Sequence, residues 1–218
     1  MLRKNWLTTS IFFQRKTKSS KDQRRSRRRR LSIFEHLERR ELLTTVSWIG
    51  GSGDWNVGAN WSNGVGPTAA DDAVIDVPGS AVTITHSSGT HTIASITMAE
   101  TVRLTEGTLI VSHQVAGSGV LAIAGGTLQD ATVGLSNPVI ATSGNMSHIT
   151  MNSAFDLTSG NATVGISNSF TLNNIATINN GALYFNGTQT LGGTGTVNMV
   201  GSIAALVLNQ NNTTMTVG

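Results

Sequence analysis

The chain has 218 residues, no cysteine, 12% charged residues and a formal net charge of +3. The lack of cysteine excludes disulfides, thiolate metal sites and cysteine nucleophiles, while the length is sufficient to bury a core. Few charges combined with ordinary hydrophobicity are not typical of intrinsic disorder, which needs high charge and few apolar residues.

The net charge is the sum of two opposite segments. Residues 1–45 hold fourteen of the fifteen Lys and Arg and four acids, which gives +10. Residues 46–218 hold only Arg103 against eight acids, which gives −7. This break in composition predicts a basic leader or sorting segment over 1–45 and a separate, mildly acidic domain over 46–218.

The leader contains an arginine-rich run at residues 24–30. No stretch of it is long and apolar enough for a transmembrane span, and it matches a secretory signal poorly. We expect it to be disordered, except for a short helix beginning near Ser32. The arginines suit anionic lipid or nucleic-acid phosphates, but the acidic domain would repel DNA, so no nucleic-acid partner is predicted. The favoured interpretation of the leader is a targeting signal that the export machinery recognises.

A motif at the end of the leader supports that interpretation. Residues 34–44 read FEHLERRELLT and resemble the N-terminal LExRxLL sorting motif of large extracellular proteins from planctomycete-type bacteria. The motif positions are occupied by Leu37, Glu38, Arg40, Leu42 and Leu43. The resemblance implies export to the cell surface and says nothing about a catalytic activity.

Pairs of apolar residues separated by one residue recur throughout the domain. Alternation with a period of two places both members of a pair on one face of a β-strand. Gly- and Asn-rich turns lie between the pairs, so many short strands are predicted. The pairs are Val82/Ile84, Val102/Leu104, Leu109/Val111, Leu121/Ile123, Val133/Leu135, Ile149/Met151, Phe155/Leu157, Val164/Ile166, Phe170/Leu172, Leu183/Phe185, Val197/Met199, Leu206/Leu208 and Met215/Val217.

The favoured architecture is all-β, a right-handed parallel β-helix or solenoid; the alternative is a β-sandwich or jelly roll. Two or three short strands per coil would give coils of roughly 20 residues, within the range of stacked repeats. Outward Thr, Ser and Asn can stack in ladders on neighbouring coils, which explains their abundance in place of charge.

A second resemblance concerns the domain. Residues 47–76 and 183–197 resemble units of autotransporter- and haemagglutinin-like bacterial surface proteins, which implies an extracellular β-helical passenger. The strand pattern continues to the last residue, Gly218, without a visible cap. Because a solenoid needs a capping end, we expect the chain to be truncated at its C-terminus.

Two clusters in the domain are candidate binding sites. Trp48, Trp55 and Trp61 could stack on sugar rings, or could instead plug the open first coil as large buried aromatics. Asp71, Asp72 and Asp76 form an acidic cluster that could bind Ca²⁺, although EF-hand spacing and the calcium-binding nonapeptide are both lacking. Solvated turn carboxylates are the alternative, and no other cofactor is predicted.

No catalytic residues are predicted. The histidines of the domain (His86, His91, His113 and His148) are scattered in sequence without metal-ligand spacing, and the common hydrolase and phosphate-loop motifs are missing. A polysaccharide lyase or hydrolase would need a carboxylate pair or a carboxylate–arginine set, which is hard to assemble with Arg103 alone.

The sequence therefore predicts an exported, non-enzymatic, adhesin-like structural protein of the cell surface. Extracellular polysaccharide or other surface components are the expected partners. A carbohydrate-binding module that uses the tryptophan cluster and a β-helical polysaccharide lyase or hydrolase are the alternative functions.

Overall fold

The computed structural model describes residues 43–79 and 81–218, and these form a β-solenoid of about seven turns. Every pairing between named strands is parallel. The predicted parallel solenoid is therefore confirmed. The sandwich or jelly-roll alternative is wrong, because those folds are built from antiparallel strands.

Twenty strands and one short 3-10 helix (Gly58–Asn60) make up the described chain. The strands are β1 (Thr44–Ser47), β2 (Gly53–Asp54), β3 (Asp71–Ile75), β4 (Thr83–His86), β5 (Thr90–Ile93), β6 (Ser95–Met98), β7 (Thr101–Leu104), β8 (Thr108–Val111), β9 (Gln114–Gly117), β10 (Val120–Gln129), β11 (Thr132–Leu135), β12 (Val139–Met151), β13 (Phe155–Leu157), β14 (Thr163–Leu172), β15 (Ile175–Asn179), β16 (Ala182–Asn186), β17 (Gln189–Gly192), β18 (Thr196–Val200), β19 (Ala205–Leu208) and β20 (Met215–Val217).

The strands stack in three columns, which we call faces 1, 2 and 3. Face 1 contains β1, β3, β6, β9, β11, the ends of β12 and β14, β17 and β20. Face 2 contains β2, β4, β7, the starts of β10 and β12, β13, β15 and β18. Face 3 contains β5, β8, the end of β10, the middle of β12, the start of β14, β16 and β19.

Each complete coil thus contributes one strand to each face, and its length matches the predicted repeat. Leu109 pairs with Leu128, 19 residues further on, and Phe155 pairs with Ala176, 21 residues further on. The long strands β10, β12 and β14 pass from one face to the next without a break in strand structure, so the coil corners there are bends.

The hydrophobic core is the interior of the solenoid. Ten of the thirteen predicted apolar pairs, from Val82/Ile84 to Leu183/Phe185, are buried at both positions, as period-two alternation requires. In the last three pairs one member is exposed: Met199, Leu208 and Val217 are each more than two-fifths accessible. These residues lie in the final coil, where no further described coil covers them.

Polar side chains link neighbouring coils at the corners, as the composition predicts. Asn173 donates its side-chain N–H to Asn152 Oδ1 at 2.8 Å, between residues one coil apart. At another corner His148 Nδ1 lies 2.9 Å from Asp130 Oδ1, and both residues have positive φ. Hydrogen bonds from Gln129 and His148 hold the pKa of Asp130 below its usual value.

No helix in residues 43–79 or 81–218 has the length and hydrophobicity to cross a bilayer. The arginine run, the predicted short helix and the motif positions Leu37, Glu38, Arg40 and Leu42 lie outside the described residues. The first described strand begins at Thr44, close to the predicted end of the leader.

Candidate functional site

The three tryptophans of the predicted sugar-binding cluster converge at the start of the solenoid. Trp48 follows β1, Trp55 follows β2, and Trp61 follows the 3-10 helix. An antiparallel bridge joins Trp48 to Trp61, because the intervening segment folds back across the first coil. We call this group the tryptophan cap.

The rings of the tryptophan cap pack on one another rather than facing solvent. The centroid of Trp61 lies 5.0 Å from that of Trp48 and 4.7 Å from that of Trp55, both in edge-to-face geometry. Each tryptophan is at most 2% exposed, and the Trp61 indole donates to the Trp55 carbonyl at 2.9 Å. Sugar stacking needs an open ring face, so the carbohydrate-binding hypothesis for these residues finds no support in their geometry.

The carboxylates of the predicted calcium cluster do not converge. Asp71 is buried, and its Oδ2 accepts hydrogen bonds from the Thr68 N–H at 2.8 Å and the Thr68 hydroxyl at 2.6 Å. Asp72 points to the opposite side of β3, where it accepts from the Ser95 hydroxyl, and Asp76 is exposed beyond the strand. Among residues 43–79 and 81–218 no group of three or more acids and histidines could hold a metal ion.

One position of the sorting motif belongs to the described chain. Leu43 is 48% exposed and borders a shallow cleft of ≈ 540 Å³ on face 1, together with Asp72, Ser95 and His113. The function of the motif stays a prediction.

Two histidines that look scattered in the sequence form a pair in the structure. His86 Nε2 lies 2.9 Å from His91 Nδ1, and His86 Nδ1 lies 2.9 Å from the Glu106 carbonyl oxygen. A carbonyl only accepts, so His86 Nδ1 carries a proton. When His86 is neutral, its Nε2 accepts a hydrogen bond from the Nδ1–H of His91.

The pair lies directly above the tryptophan cap. His86 is fully buried, and its ring centroid is 6.0 Å from that of Trp55. His91 is partly exposed at the edge of a cleft of ≈ 360 Å³, which Gly66 and Ser88 also border. The turn at Ser87–Gly89 joins β4 to β5 and brings the two imidazoles together. The five-residue spacing across a Gly-containing turn was the only signal in the sequence.

Acidic pH should destabilise the region of the tryptophan cap through protonation of His91. Burial lowers the pKa of the His91 imidazole below its ordinary 6.5, His86 lowers it further, and the Asp54 carboxylate opposes both effects. A histidine with a lowered folded pKa binds its proton more readily in the unfolded chain. Its contribution to stability is therefore complete above pH 6.5 and is lost as the pH falls through the lowered folded value.

We expect the melting temperature to fall between pH 7.5 and pH 5, and this fall to be smaller in His91→Gln, whose side chain does not titrate. His113→Gln is the matched control, because His113 is an exposed histidine outside the pair. Thermal unfolding followed by circular dichroism at each pH measures the effect. Equal slopes in the wild type and His91→Gln would contradict it.

A second candidate site lies on the outside of face 3. Asn145, Gly165, Tyr184 and Val207 occupy the same register position in four successive coils. Gly165 has no side chain, so the row is interrupted between the Asn145 carboxamide and the Tyr184 ring. The gap opens into a shallow cleft of ≈ 530 Å³, which we call the face-3 groove.

The face-3 groove is lined only by uncharged residues: Gly125, Ser143, Gly144, Asn145, Thr163, Gly165, Tyr184, Asn186 and Asn209. Tyr184 is the single tyrosine of the chain and is partly exposed. Sequence reasoning missed this site, because it combines residues of successive coils, which are 18 to 23 positions apart in register and meet only through the stacking of coils.

Several carboxylates of the domain accept hydrogen bonds from backbone N–H groups. Asp54 accepts from the backbone N–H of Asn56, and Asp156 from that of Thr158, both at 2.8 Å. Glu100 accepts from the Val82 N–H at 3.0 Å, across 18 residues. These acids therefore fix turns and neighbouring segments.

No protein-family model matches the chain, and no curated protein or solved structure matches it significantly.

Proposed function

We propose that this chain is an exported, non-enzymatic protein of the bacterial cell surface, whose β-solenoid is a stiff scaffold. The observation that carries the proposal is the solenoid itself: stacked parallel coils with a filled apolar interior and an outer surface rich in Thr, Ser and Asn. Neighbouring coils are joined by parallel strand pairing on all three faces, so each coil is tied to the next at three positions.

The surface composition supports a scaffold that works outside the cell. With Arg103 as the single Lys or Arg of residues 46–218, the outer faces rely on Thr, Ser and Asn. Side-chain bonds between coils, such as Asn209 Nδ2 to Asn186 Oδ1 at 2.8 Å, join successive coils on the outside. The LExRxLL-like segment supports export. The carboxylates of Asp54, Glu100 and Asp156 accept backbone hydrogen bonds, so these acids have structural roles.

The experiment that tests the proposal is localisation of the full chain carrying a C-terminal tag, expressed in a planctomycete-type bacterium. We expect the tagged protein in the surface or extracellular fraction, with a mature N-terminus near residues 44–47. A variant with Glu38→Gln and Arg40→Gln should accumulate inside the cell, because it removes both charges of the motif.

A variant with Arg27→Gln and Arg28→Gln is the matched control, since it removes charge from the leader outside the motif. A wild-type chain that stays cytoplasmic and uncleaved would overturn the proposal. Release of oligosaccharides from polygalacturonate or alginate by the purified chain would instead support the lyase or hydrolase alternative.

A further inference from the structure

We infer that the face-3 groove is a binding site for a neutral glycan chain. This goes beyond the proposed scaffold role, and it stands on a set of residues different from the tryptophan cap. Three properties of the groove carry it: its shape, the direction of its hydrogen-bonding groups, and its charge.

The shape follows from the stacking of coils. The groove passes from Gly125 in β10, across β12, β14 and β16, to Asn209 just after β19. Four strand spacings of about 4.8 Å give a length on the order of 20 Å, running along the solenoid axis. Gly165 lies in the floor at the centre, beneath the Asn145 and Asn186 carboxamides, and an extended chain molecule could lie across the strands on these groups.

Two carboxamides converge above this glycine. A Cβ atom placed on Gly165 would lie 2.4 Å from Asn145 Oδ1 and 3.2 Å from Asn186 Nδ2. The orientation of Asn186 is set by its neighbour, because Asn186 Oδ1 accepts a hydrogen bond from Asn209 at 2.8 Å. The Asn186 N–H₂ group therefore faces the floor beside the Asn145 oxygen. A donor and an acceptor side by side suit a hydroxyl group, which both donates and accepts.

Tyr184 supplies the apolar contact. It follows Gly165 in the register of face 3, lines the groove and is partly exposed. An aromatic ring with a polar tip can pack on the C–H face of a sugar while its hydroxyl binds a neighbouring oxygen. An aromatic platform beside paired amides is suited to a polyhydroxylated ring.

The charge of the groove selects among glycans. All nine lining residues are uncharged, and Arg103, the one cation of the domain, lies on face 2. An acidic polysaccharide would find no counter-charge in the groove, and a basic ligand would find no carboxylate. The ligand is therefore assigned as a neutral glycan.

The test uses the full chain labelled with ¹³C-tyrosine and three neutral hexasaccharides: cellohexaose, maltohexaose and mannohexaose. Because Tyr184 is the only tyrosine, its ring resonances report directly on the groove. We expect at least one hexasaccharide to shift these resonances in a saturable way. Polygalacturonate should not shift them.

Two substitutions then locate the binding by titration calorimetry. Tyr184→Ala should weaken the affinity roughly tenfold through loss of the aromatic contact. Gly165→Thr should abolish binding, because its side chain fills the floor and displaces the flexible ends of Asn145 and Asn186. Gly134→Thr is the matched control, since Gly134 is an exposed strand glycine with nothing within 4 Å of an added Cβ, and it should bind as the wild type does.

Circular dichroism of each variant checks that the fold is kept. The inference is overturned if no neutral hexasaccharide shifts the Tyr184 resonances, if only polygalacturonate does, or if folded Gly165→Thr binds within twofold of the wild type. Because the test uses purified protein, it is independent of the localisation experiment, and the failure of one is distinguishable from the failure of the other.

Discussion

Replacing Trp61 with alanine is expected to lower the free energy of unfolding by about 3–5 kcal/mol, the range for a large aromatic residue deleted from a core. Trp61 is 1% exposed and contacts both other rings of the tryptophan cap. The substitution leaves a cavity and removes the hydrogen bond to the Trp55 carbonyl. Because neighbouring coils stabilise one another, loss of the cap should expose the first coils to unfolding.

Urea denaturation followed by circular dichroism measures the loss, and limited proteolysis shows where it occurs. Trp61→Phe should lie between Trp61→Ala and the wild type, because it keeps an aromatic ring but loses the indole N–H. Val65→Ala is the surface control, since Val65 is 78% exposed, and its effect should stay within about 0.5 kcal/mol. A loss below about 1 kcal/mol for Trp61→Ala would show that these rings do not stabilise the first coil.

The core residues of the solenoid could be predicted because the alternation of apolar residues within each strand identifies the face that is buried. Val102 and Leu104 are separated by one residue, and both are buried beneath face 2, as alternation requires. The three tryptophans could be placed in one cluster because they lie within fourteen residues. Whether they plug the coil or bind sugar depends on ring burial, which spacing alone does not determine.

The face-3 groove could not be predicted, because it depends on register between coils. Asn145 lies 20 residues before Gly165, and Gly165 lies 19 before Tyr184. The predicted pairs are irregularly spaced, so the sequence does not show which residues become neighbours. A one-residue slip would turn Tyr184 into the core and remove the groove.

The register between coils also determines which glycines are closely approached by a neighbouring coil. Gly117 and Gly134 look alike in the sequence, each in or near a short apolar strand. In the structure Gly134 pairs with Ala116 and Gly117 pairs with Leu135, so the two glycines are in adjacent coils and adjacent register positions of face 1. Only Gly117 has a positive φ, of 116°, and only there does the neighbouring coil approach closely.

Gly117→Ala is therefore expected to be among the most damaging small substitutions in the chain. An added Cβ would lie 2.1 Å from the carbonyl oxygen of Met98, one coil away, and backbone of that kind cannot move aside as a side chain would. The left-handed conformation costs a non-glycine residue about 1–3 kcal/mol, and overpacking adds about 1–3 kcal/mol. The expected loss of unfolding free energy is about 2–6 kcal/mol.

The matched control is Gly134→Ala, measured by the same urea denaturation. Gly134 has nothing within 4 Å of an added Cβ, so alanine there should be neutral or should stabilise by about 0.4–1 kcal/mol through the unfolded chain. Equal effects at the two positions would mean that the coils of face 1 stack in a different register. A large loss at Gly117 alone would show that stability depends on the close approach of Gly117 to Met98 in the neighbouring coil. The face-3 groove is formed by the same stacking of coils.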